Sequence, residues 1–130
     1  MRRANHGLQS RNGPWLDRFR LAALAWAVIV AWLAFRPSTG LDVGLPWDKA
    51  NHAMAFVVLT LLTGAGWPRW PWSRLLLLMM GAGVGIELVQ GLPLIGRDAD
   101  VRDVLADAVG IGAGLAALAM LRRSGAAVRE

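Results

Sequence analysis

Four apolar stretches with short, turn-rich connections between them constrain this chain more than any other feature. They run from Trp15 to Phe35, from about Asp48 to Trp67, from about Arg74 to Leu92, and from Asp103 to Leu121. A helix crossing a bilayer needs about 20 mostly apolar residues, and each stretch comes close to that length. The first has a short clean core, LAALAWAVIVAWLAF, so Phe19 and the snorkelling stems of Arg18 and Arg20 must extend it. Within 130 residues, hydrophobic side chains make up 55% and charged ones 18%, and the mean hydropathy is +0.42. Such values exclude a disordered chain and argue against an ordinary soluble domain. The expected fold is an all-α integral membrane four-helix bundle.

The connections carry the chain breakers. Arg36 to Trp47 (RPSTGLDVGLPW) reads as a loop, PRWPWSR after Trp67 as a tight turn with Ser73 as helix N-cap, and Pro93 as the end of the third span. Residues 1–14 read as a disordered tail, 15–123 as the membrane domain and 124–130 as a second tail. A signal peptide competes for the first stretch, because basic residues precede it, but no convincing small-x-small site stands before Arg36-Pro37.

Four spans place both termini on one side. Of the 14 basic residues, ten fall on that side: Arg2, Arg3, Arg11, Arg18, Arg20, Arg69, Arg74, Arg122, Arg123 and Arg129. The positive-inside rule then puts both termini in the cytoplasm. The net charge of +5 serves topology and anionic lipid rather than nucleic acid, for which no motif is present. Trp15, Trp47, Trp67, Trp70 and Trp72 lie near span ends, as an interfacial belt would place them. Without cysteine, disulfides and thiolate metal sites are excluded.

Ionisable residues inside the apolar flanks point to a site. A carboxylate in hydrocarbon costs about 2.5–3.5 kcal/mol, so it normally faces a bundle interior and serves a purpose. Glu87 lies well inside the third span, with Gln90 one turn on; Asp103, Asp107, Gly110 and Gly114 form one stripe of the fourth. Asp48 and His52 share a face at the start of the second span, with Lys49 beside them, and Arg97 lies in the loop between spans three and four. Topology brings these groups to one outward layer.

Plainer readings stand beside these. Asp48 and Asp103 fit as N-caps, His52 as a partner of a carboxylate or helix carbonyl, and Arg97 and Arg102 as solvated charges paired with Asp98 and Asp100. Gly81, Gly83, Gly85, Gly110, Gly112 and Gly114 supply small faces for helix packing, and for self-association of the chain. One His with Glu87, Asp103 and Asp107 is a weak set for a hard divalent ion, and DADVRD lacks the glycine and terminal Glu of a calcium loop. The expectation is no metal and no cofactor. Glu87 and His52 are the candidate catalytic pair, for proton transfer. No Ser or Cys nucleophile stands near them.

The ordered set Asp48-Lys49-x-x-His52, Glu87-x-x-Gln90, Arg97 and Asp103-x-x-x-Asp107 followed by Gly110 and Gly114 resembles the VanZ-like membrane proteins over about residues 36–122. One departure is Asp107, where that family usually has Asn; an added negative charge calls for protonation, a cation or a nearby Arg97. The resemblance implies a small bacterial inner-membrane protein of a family associated with low-level teicoplanin resistance. The leading expectation is an outward polar pocket of Asp48, Lys49, His52, Glu87, Gln90, Arg97, Asp103 and Asp107. It would bind an envelope lipid headgroup or a lipid-linked cell-wall or glycan intermediate, with Arg97 and Lys49 meeting phosphate or carboxylate. The alternatives are an enzyme using Glu87 and His52 on such a lipid, and a non-catalytic protein whose polar residues are interhelical glue.

Overall fold

The computed structural model describes residues 13–36, 48–95 and 100–127, and side chains for all of these except 48, 126 and 127. Four helices account for most of them: α1 (Pro14–Phe35), α2 (Asp48–Gly66), α3 (Trp72–Gln90) and α4 (Val101–Ala127). No strand occurs among the described residues.

Prolines set most of the bounds. Pro14 opens α1 at a position where its missing N–H would have had no partner. At the other end Arg36 is extended (φ −64°, ψ 138°), the conformation a residue before proline prefers. α3 starts at Trp72 behind Pro71, so Ser73 sits inside the first turn and is not the expected N-cap. The fixed φ of Pro71 suits it to the entry, and its carbonyl accepts from Leu75. α4 continues six residues past the expected Leu121, because Arg122, Arg123 and Ser124 contain nothing that stops a helix.

By length and apolarity, α1, α3 and residues Val101–Gly125 of α4 can each cross a membrane, which marks the chain as a membrane protein. α2 falls short because Asp48, Lys49, Asn51 and His52 fill its first turn. It is nevertheless the most enclosed helix, packing against α4 and α1 most extensively and also against α3. Phe56, Leu59, Thr60 and Thr63 of α2 are buried, and Phe56 and Leu59 join Leu75, Met79, Ile111 and Leu118 in the core. On α1 the outward Leu21, Leu24, Val28 and Trp32 are 59–68% exposed, an apolar surface suited to lipid.

The seam between α2 and α4 is close because it is lined by small residues. A Cβ on Gly110 would collide with the Ala53 carbonyl, and one on Gly114 would lie 2.8 Å from Thr60 Cβ. Gly81, Gly85 and Gly112 face open space, so the expected glycine faces reduce to Gly110 and Gly114 on α4 and Gly83 on α3. Contacts between helix ends show an up-and-down bundle. Gly66 and Gly64 at the end of α2 meet Arg20 at the start of α1 and Arg122 at the end of α4. Both ends of the bundle domain, α1's start and α4's close, therefore share one end of the molecule.

Candidate functional site

The opposite end carries the ionisable groups. It is built from the first turn of α2, the last turn of α3 and the first two turns of α4. Lys49 and His52 lie on one side of the seam and Asp103 and Asp107 on the other, four residues apart on one α4 face. Lys49 Nζ donates to Asp103 Oδ1 at 3.0 Å and Asp100 Oδ2 at 3.1 Å. His52 Nδ1 lies 3.0 Å from Asp107 Oδ1, and its Nε2 lies 3.8 Å from Asp103 Oδ2. Asp107 is 1% exposed, and Gly83 of α3 makes room for it: a Cβ there would lie 2.8 Å from Asp107 Oδ2.

Glu87 approaches from α3. Its Oε2 accepts the Asp100 backbone N–H at 2.9 Å, while Oε1 is buried and has no hydrogen-bond partner among the described residues. Asp107 Oδ2 is likewise buried and unpartnered among the described residues. Leaving such oxygens unpaired away from water is costly, about 1–3 kcal/mol each, and so an unsatisfied pair in one place needs a reason. The end of the bundle supplies part of it: α2 and α4 both point their positive N-termini here, which favours carboxylates.

From the sequence, Asp100 is expected only as the partner of a solvated Arg97 or Arg102. It is the N-cap of α4: its Oδ1 accepts the Arg102 backbone N–H at 2.9 Å, the usual cap-to-N2 bond. Asp103, expected as a cap, lies within the first turn instead. The Arg102 N–H and the Lys49 ammonium hold the exposed Asp100 carboxyl below its ordinary value. Asp100 thus joins three elements, since it caps α4, meets Lys49 of α2 and holds Glu87 of α3. The available signal was an Asp immediately before an apolar helical run.

The candidate residues divide as follows. Lys49, His52, Glu87, Asp103 and Asp107 come together, with Asp100 added. Gln90 is buried beside them, but its side-chain amide donates to the Ala34 carbonyl at 3.1 Å, tying the end of α1 to α3. The Asp48 side chain and Arg97 lie outside the described residues. His52, Glu87 and Asp103 each present a nitrogen or carboxylate oxygen within 4.8 Å of the others. Chemically, the cluster can hold a cation, or pass a proton between imidazole and carboxylate. Compared with family models, curated proteins and solved structures, the chain finds no match.

Proposed function

We propose that this is a VanZ-like protein of the bacterial inner membrane with both termini in the cytoplasm. Its polar end faces outward and binds an envelope lipid headgroup or a lipid-linked cell-wall or glycan intermediate, with an effect on glycopeptide susceptibility. The observation that carries this reading is the convergence of Glu87, Asp103 and Asp107 with His52 and Lys49 at one end of a bundle whose sides are apolar. A ligand anchored in the same membrane reaches such an end with its headgroup at the right depth. Lys49 is engaged by two carboxylates, so the anion-binding role falls chiefly to Arg97, whose fork suits phosphate or carboxylate.

A second reading, acid/base catalysis on such a lipid, draws support from the His52–Asp107 pair at 3.0 Å with Glu87 nearby. The test is expression of Glu87→Gln and Arg97→Ala in cells, scored for protein in the membrane and for teicoplanin susceptibility. Normal membrane levels with the phenotype lost are expected. Full activity in both variants would refute the site, and loss of Glu87→Gln from the membrane would make the polar residues interhelical glue. Turnover of a defined lipid by purified protein, followed by mass spectrometry, would establish the catalytic version.

A further inference from the structure

We propose that the polar end is a divalent-cation site of the Zn²⁺ or Mn²⁺ class, with His52 Nε2, Glu87 Oε1 and Asp103 Oδ2 as protein ligands and Asp107 as the residue that orients His52. This departs from the sequence expectation of no metal, and it stands independently of any lipid ligand.

The geometry is that of ligands already held from behind. Each of the three has its other polar atom fixed by the protein. His52 Nδ1 meets Asp107 Oδ1 at 3.0 Å, Glu87 Oε2 accepts the Asp100 N–H at 2.9 Å, and Asp103 Oδ1 accepts Lys49 at 3.0 Å. Such outer partners set the tautomer and direction of metal ligands, and a carboxylate behind a histidine is a recurring form. With Nδ1–H donated to Asp107, the lone pair of His52 lies on Nε2, the atom facing Asp103 Oδ2 at 3.8 Å. That separation is too long for a hydrogen bond. It fits two ligands of one ion at bond lengths of about 2.0–2.2 Å.

Glu87 adds the independent observation. It is 6% exposed, its Oε1 has no partner among the described residues, and its carboxylate lies within 4.8 Å of the His52 and Asp103 donors. Glu87, Asp103 and Asp107 bring three carboxylates into a buried corner, against one imidazole and the half-exposed Lys49. A divalent ion would balance that charge where no further side-chain cation among the described residues does. The imidazole selects a borderline transition ion over Mg²⁺ or Ca²⁺, which prefer oxygen alone. Three protein ligands leave a coordination position open to water or another oxygen donor, as at catalytic rather than structural zinc sites.

The test uses the full chain in detergent, stripped with chelator and dialysed against ZnCl₂ or MnCl₂, with metal counted by elemental mass spectrometry. Wild type should bind about one ion per chain, and Glu87→Gln and Asp103→Asn should each lose at least about 100-fold in affinity. Asp107→Asn should lose about 10–100-fold, as outer-shell substitutions do. Circular dichroism and elution volume establish that the near-isosteric variants are folded, and metal at a concentration near the wild-type Kd should raise the unfolding temperature of wild type more than that of the variants. Two results would overturn the site: wild type that binds neither ion, or folded Glu87→Gln and Asp103→Asn that bind as wild type does. Unchanged binding by Asp107→Asn would remove Asp107 from the arrangement.

Discussion

The two ends of this bundle hold their charges in opposite ways. At the end shared by the start of α1 and the close of α4, each cation that meets α2 has a backbone partner. Arg20 Nε donates to the Gly66 carbonyl at 2.9 Å and Arg122 to the Gly64 carbonyl at 3.0 Å. These carbonyls belong to the last turn of α2, where no intrahelical donor remains and the dipole is negative. The same guanidinium groups lie over indoles, Arg20 over Trp67 at 5.5 Å and Arg122 over Trp72 at 4.5 Å, with Arg74 over Trp70 at 5.4 Å. Trp67 and Trp70 stack at 5.2 Å. An arginine–tryptophan layer of this kind suits the interface of a bilayer. It is a finished end, closed by its own side chains.

The other end leaves Glu87 Oε1 and Asp107 Oδ2 buried without partners among the described residues. A basic end satisfied by its own backbone and rings needs nothing from outside to be stable. An acidic end with convergent buried oxygens that lack partners among the described residues is the end proposed above to bind a ligand. The difference is one of satisfied against unsatisfied polar groups within one small bundle.

The sharpest way to break this contrast is at the seam that creates the acidic end. Gly110→Ala forces Ala53 of α2 away from α4 and should cost about 2–3 kcal/mol, as overpacking does. The loss should fall on protection of the His52 and Asp107 turns in hydrogen exchange. Gly112→Ala, which faces open space, should be neutral by the same measurement. Equal effects of the two would mean that the seam does not position the site.

Arg122→Ala should destabilise by less, about 1–2 kcal/mol from one charged hydrogen bond and one cation–π contact, read from unfolding in detergent. It should leave ligand binding at the acidic end unchanged; impaired binding would show that the ends are coupled.

The smallest effect concerns pH. The Asp100 carboxyl is held below its ordinary value of 3.8, so its contribution is present above that value and is lost as pH falls through the lower, folded one. Stability of wild type relative to Asp100→Asn should therefore be constant from neutrality to about pH 4, and the difference should vanish only in stronger acid. A difference that disappears well above pH 4 would contradict the assignment to Asp100.

The helices were legible because prolines and turn residues punctuate the chain, and because apolar runs of this length have few alternatives. The convergence of His52, Glu87, Asp103 and Asp107 was legible from alternating span direction alone. What escaped was rotational phase. Gln90 is one turn from Glu87, yet it turns far enough round α3 to reach Ala34 of α1. Gly83 and Gly110 meet neighbours while Gly81, Gly85 and Gly112 do not, which depends on crossing angles that glycine spacing does not specify. α2 illustrates the same limit. Its polar first turn lowers its hydropathy, yet the helix is the most enclosed, and Lys49 and His52 of that turn meet carboxylates of α4.

The acidic end is proposed as a binding site with Glu87 at its heart. Native mass spectrometry of the full chain, released from its membrane in mild detergent, tests it directly. Wild type should carry a lipid or lipid-linked species that folded Glu87→Gln has lost. Retention of the same species in the same amount by Glu87→Gln, or its absence from wild type, would contradict the account.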